Sequence, residues 1–118
     1  MKVFLFLSTA GSEEEGERIA RALVKEGLAA CVNLVPRIQS FFFWEGRLRK
    51  EREVLILGKT TRGKLDLLRI RIKDLHSYSV PEILFVEVAG GEEKYLEWVQ
   101  KMTGKKAKKN IDINSVKR

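Results

Sequence analysis

From Ala29 to Trp44 the chain reads AACVNLVPRIQSFFFW; it turns at Glu45-Gly46 and returns from Arg47 to Thr60 as RLRKEREVLILGKT. This is the pattern of one long β-hairpin. Each arm spans roughly 50 Å at ~3.3 Å per residue. A compact domain of this length has a radius of gyration of only ~13–14 Å. The other candidate strands, Lys2–Ser8 and Glu82–Ala89, are about half as long, so they cannot pair with the distal half of the ribbon. That half carries Phe41, Phe42, Phe43 and Trp44. A lone ribbon is marginal in water, and a contiguous aromatic patch marks an interface. The expectation is that other copies of the chain cover these four residues.

A two-residue turn at Glu45-Gly46 sets Trp44 opposite Arg47 and Phe43 opposite Leu48. Pro36 has no N–H for a ladder, so it marks an edge, a bulge or a bend. Upstream, Lys2–Ser8 is an almost wholly apolar strand. Ser12 followed by Glu15 is a capping box that starts a helix running to about Glu26, with Gly27 as its C-terminal stop. Downstream, Leu65, Leu68, Ile72 and Leu75 stripe a second helix from about Thr61 to Leu75. The segment His76-Ser77-Tyr78-Ser79-Val80-Pro81 is a loop, and Ile83–Ala89 is the last strand. Tyr95, Trp98, Val99 and Met102 share one face of a third helix ending at Gly104. Strand–helix–strand–strand–helix–strand with right-handed crossovers predicts an α+β, ferredoxin-like βαββαβ sandwich with an additional C-terminal helix. Two helices cover one sheet face, and the other face needs cover from elsewhere.

One domain, residues 1–104, is followed by a basic tail, residues 105–118. The formal net charge is +7, and in the tail Lys105, Lys106, Lys108, Lys109, Lys117 and Arg118 face only Asp112. Such a tail is a solvated end or a contact for a polyanion. Charged residues make up 33% of the chain while Gln occurs twice and Asn three times, a profile seen in thermostable proteins. The lone Cys31 rules out a disulfide within the chain and reads as a small buried hydrophobe. The apolar run Val3–Leu7 is shorter than the ~7–15 residues of a signal core, and no stretch approaches a membrane span. The expected location is the cytoplasm.

The chain is poor in catalytic constellations. It has one His, one Cys, no Gly-rich phosphate loop before a helix and no G-x-S-x-G. No enzymatic role is expected. Glu51 and Glu53 fall on one strand face, where neighbouring Arg49 and Arg52 point to ion pairing. His76 and Glu82 flank a Pro-bearing turn; His with carboxylate suits copper or another borderline divalent cation. The alternative for His76 is a cap on the helix ending at Leu75. The strand order also builds RNA-recognition modules, but EVLILGK at Glu53–Lys59 offers no aromatic platform, which argues against nucleic acid.

Cys31-Val32-Asn33, Pro36, Ser40, Trp44-Glu45-Gly46, Glu53-Val54 and Lys59-Thr60, with HSYSVPEI at 76–83, Tyr95-Leu96 and Trp98, resemble the CutA divalent-ion-tolerance family. The match is collinear from about residue 3 to residue 100. The resemblance implies a compact cytoplasmic homotrimer whose hairpins extend sheets across subunit boundaries, related in shape to PII-type signalling trimers. It implies a link to copper and other divalent cations, with no cofactor required. An intersubunit ligand cleft would use Trp44, Glu53, Lys59, His76, Tyr78 and Glu82. Some members are credited with copper ligation by a Cys and two adjacent His. Here those positions are Ser8, Leu75 and His76, so only the last is retained. Two functional readings follow: metal or small-ligand binding in the clefts, or a structural and signalling trimer without direct metal binding.

Overall fold

The computed structural model describes residues 2–104; the basic tail lies outside that range. The elements are β1 (Val3–Ala10), α1 (Glu13–Lys25), β2 (Cys31–Trp44) and β3 (Arg47–Thr61). A 3-10 turn (Arg62–Lys64) then leads into α2 (Leu65–Leu75), β4 (Leu84–Glu87) and α3 (Glu93–Thr103). The four strands are ordered β2-β3-β1-β4 with every pairing antiparallel, the ferredoxin-like arrangement.

The ribbon forms as its sequence requires. Glu45 and Gly46 both take positive φ, at 52° and 77°, which is the signature of a type I′ hairpin turn. Trp44 pairs with Arg47 and Phe43 with Leu48. The ladder steps from Val35↔Leu55 to Ile38↔Glu53, so Pro36 and Arg37 hold a bulge with one extra residue on β2. Arg37 sits at φ 58°. A residue without a Cβ fits that left-handed position with less strain. Beyond the bulge, Ile38, Ser40, Phe42 and Trp44 share a face with Glu53, Glu51, Arg49 and Arg47.

β1 runs two residues past its expected end, because β3 supplies partners as far as Val54. β4 is shorter than the expected Ile83–Ala89; it pairs only with Phe4–Leu7, and a further bond from Val88 N–H to Val3 O ends the ladder. α2 begins at Leu65 rather than Thr61, which belongs to β3, and no side chain caps its start.

α1 and α2 cover one sheet face. Phe6, Ile19, Leu23, Ile56, Leu68 and Ile72 are fully buried between them. Gly58 lets the Phe6 ring cross β3: an added Cβ would lie 2.0 Å from Phe6 Cε2. α3 packs over one end of the sheet, with Val99 against Val3 and Ala30. There the Thr61 and Thr103 hydroxyls hydrogen-bond at 3.0 Å. On the opposite sheet face, Val35, Leu84 and Val86 are exposed and Leu5, Leu7, Leu55 and Leu57 are half-buried. At the ribbon tip Phe43 is 73% exposed and Phe41 62%.

Candidate functional site

The distal ribbon and the loop after α2 enclose a cleft of about 650 Å³. β2 contributes Ser40, Phe42 and Trp44; β3 contributes Arg49, Glu51 and Glu53; the loop contributes Tyr78–Val80 and Glu82. The register explains the convergence: alternate residues on each arm turn to one side, and the bulge at Arg37 restores that alternation on β2.

The loop is fixed by a buried polar network. Ser12 Oγ accepts the Glu15 N–H at 3.1 Å, as the capping pattern requires. The Glu15 carboxylate, only 6% exposed as a residue, reaches elsewhere. It accepts the Gly11 N–H at 3.2 Å and the Ser77 N–H at 2.7 Å. Burial pushes the Glu15 carboxyl up, but the bonds from Ser77 and Gly11, with help from His76, outweigh it and hold it below the usual carboxylate range. Arg18 donates to the Leu75 carbonyl at 3.3 Å and so closes the end of α2. Glu15 is a positioning residue that the capping motif revealed only in part.

His76 has a fully buried side chain. Its Nε2 bonds the Thr9 carbonyl at 2.6 Å, and its Nδ1 accepts the Tyr78 N–H at 3.0 Å. Both ring nitrogens are therefore committed, Nε2 as donor and Nδ1 as acceptor. The Tyr78 ring lies against the imidazole at 4.7 Å between centroids. Tyr78 Oη then donates to Glu53 Oε2 at 2.8 Å. Burial, followed by the Glu53 carboxylate, pushes the phenol well above its usual range, so Tyr78 remains a donor throughout neutral pH.

The expected sites are thus partly united and partly separated. Trp44, Glu53, Tyr78 and Glu82 meet at the cleft. Lys59 does not join them: it bonds Asn33 Oδ1 beside Cys31, toward the other end of β3. The expected metal pair is not assembled either, because Glu82 faces the cleft while His76 has no lone pair to offer. Among the described residues no group of three or more His, Cys, Asp or Glu side chains is placed to hold a metal ion. Ser8 is fully buried with an unpartnered hydroxyl and Leu75 is apolar, so the copper ligand set does not fit within one subunit. The ion pairs expected for Glu51 and Glu53 are also absent among the described residues, where neither carboxylate lies within 4.0 Å of an arginine or lysine nitrogen. Arg49 keeps a buried Nε without a partner. Sequence reasoning assigned Glu51 to an ion pair and so missed it as a cleft residue; its alternation with Glu53 was the available signal.

A ferredoxin-like sandwich, with a ribbon longer than its sheet and an aromatic and carboxylate cleft beneath it, defines a distinct class of small α+β protein. The chain belongs to the CutA1 family: the family model described as CutA1 divalent ion tolerance protein matches residues 4–102. It is 46% identical over 98 residues to the divalent-cation tolerance protein CutA of Thermus thermophilus, covering 83% of this chain and 95% of that one. It is 42% identical over 95 residues to the chloroplastic protein CutA 1 of rice, covering 80% of this chain but 54% of the rice protein, so it spans about half the length of that plant relative. The solved structure of the Thermus thermophilus divalent cation tolerance protein matches with a TM-score of 0.84 at 44% identity, over 86% of this chain and 99% of that one. The family resemblance and the fold class read from the sequence are both confirmed.

Proposed function

We propose that this protein is a homotrimeric, cytoplasmic, non-catalytic binding protein of divalent-cation homeostasis, whose cleft holds a small ligand at a subunit boundary. The observation that carries this reading is the uncovered apolar surface. Val35, Leu84 and Val86 on the open sheet face are 44%, 54% and 47% exposed, and the aromatic tip continues that surface. A neighbour laid on this face would bury both and wall the cleft. The family's link to divalent-cation tolerance supplies the physiological context. No helix among the described residues is long and apolar enough to cross a membrane.

Light scattering across a dilution series tests the assembly. A trimer mass is expected, and Leu84→Glu and Phe43→Ser are expected to lower it. A folded monomer at micromolar wild-type concentration would refute the reading.

A second reading, direct binding of copper or another divalent cation, requires donors other than the committed His76 ring. Titration of copper into wild type and His76→Ala separates the two. Absence of binding supports the cleft reading; copper binding supports direct ligation, through other donors where His76→Ala binds equally and through His76 where it does not.

A further inference from the structure

We propose that residues 105–118 bind the phosphate backbone of a nucleic-acid duplex without sequence preference. The segment reads KKAKKNIDINSVKR and sets six cationic side chains against Asp112 alone, so +5 of the net +7 lies in these 14 residues. The family model stops at residue 102, so this charge lies outside what the family match covers. A duplex carries a sheath of condensed counterions, and each lysine or arginine that neutralises a phosphate releases counterions into bulk solution. A short segment with so many cations is built for that exchange.

The end of the fold from which the segment departs is also cationic. Gly104 caps α3, its N–H bonded to the Gln100 carbonyl at 3.1 Å. Thr103 Oγ1 meets Thr61 Oγ1 at 3.0 Å, which ties that point to the end of β3. Arg62 follows directly, and its N–H donates to the Lys2 carbonyl at 3.0 Å. The Arg62 and Lys2 side chains are more than half exposed and share one carboxylate, Glu87, at 3.6 and 3.2 Å. Lys101, exposed in the last turn of α3, makes no ion pair among the described residues. These side chains continue the positive charge of the segment onto the body. β3 begins at Arg47 beside Trp44 and ends at Thr61, so this cationic end lies away from the ribbon tip.

The residue types select the polyanion. Residues 105–118 contain no aromatic side chain, which removes base stacking, the main hold on single strands. Phosphate contacts need no aromatic platform on the sheet. Ile111, Ile113 and Val116 are interrupted by Asp112, Asn114 and Ser115, so they form no continuous apolar anchor for a bilayer. Asn110, Asn114 and Ser115 add uncharged donors of the kind that meet phosphate oxygens.

Fluorescence anisotropy of a labelled DNA duplex of about 20 base pairs, titrated with the full chain over a range of salt, tests the proposal. Binding is expected, with log K falling by about 5 per tenfold rise in salt as six phosphates are engaged. Lys105→Gln, Lys106→Gln, Lys108→Gln and Lys109→Gln combined in the full chain are expected to weaken binding by about 100-fold or more and to reduce that slope to about 2. Matched thermal midpoints show that the variant is folded. A second duplex of unrelated sequence is expected to bind equally. Absence of wild-type binding, or an unchanged affinity and slope in the variant, would overturn the proposal. So would a preference of about tenfold between the duplexes, which requires base contacts, or tighter binding to phosphatidylserine vesicles at equal phosphate concentration.

Discussion

Tyr78 Oη donates to Glu53 Oε2 at 2.8 Å across 25 positions of sequence, and this single bond joins the loop after α2 to the ribbon. The carboxylate it serves is almost wholly buried. Removing the hydroxyl leaves that charge with no donor from the protein. Tyr78→Phe is therefore expected to destabilise the fold by about 1–3 kcal/mol and to raise amide exchange in residues 77–82. Urea denaturation and hydrogen exchange measure the two effects. An unchanged midpoint and unchanged exchange would show that the bond does not hold the loop.

Glu15 makes a pH prediction whose sign is fixed. Its folded pKa is depressed, so its stabilisation is fully present above the ordinary Glu value, about 4.3, and disappears as pH falls through the lower folded value. Glu15→Gln is expected to be less stable than wild type at pH 7, with the gap closing below about pH 4. Thermal melts of both proteins from pH 7 to pH 3 give the comparison. A gap that stays constant across that range would contradict the assignment.

Gly58 permits no side chain while Phe6 holds its place, given the 2.0 Å approach of an added Cβ. Gly58→Ala is expected to cost about 3 kcal/mol or more through overpacking. Phe6→Leu in the same background removes the clashing ring edge and is expected to recover part of the loss. Denaturant midpoints of the four proteins form the cycle, and additive losses would refute direct contact.

Arg37 stands at φ 58° on the bulge. Glycine lacks the Cβ that makes this region costly, by about 1–2 kcal/mol, though it loses more chain entropy on folding. Arg37→Gly is expected to stabilise by up to about 1 kcal/mol. A lowered melting temperature would show that the Arg37 side chain makes a contribution larger than the backbone strain.

The ribbon was legible because its determinants are local. Glu45-Gly46 fixes the turn, the turn fixes the register, and Pro36 fixes the place of the irregularity. The helix limits followed from Ser12 and Gly27 for the same reason. The site was legible only in pieces. Within one subunit Trp44, Glu53, Tyr78 and Glu82 meet at one cleft, whereas Lys59 lies toward the other end of β3. His76 looked like a ligand because sequence cannot show that Thr9 O and Tyr78 N–H already occupy its nitrogens. Glu15 appeared as a cap because its second partner, Ser77, is 62 positions away. Contacts of that separation depend on tertiary packing and leave no periodic trace in the chain.

The bulge at Pro36 and Arg37 has a consequence for the nascent chain. β2 is the sheet's outer strand, so its free backbone could template fibril growth, strand upon strand. The kink splits that template into Cys31–Val35 and Ile38–Trp44, neither much longer than the ~6–7 residues of a steric zipper. Arg47, Arg49, Lys50 and Arg52 flank the second piece as like-charged gatekeepers. The exposed phenylalanines of the ribbon thus sit on a strand too broken to present a long template for amyloid stacking.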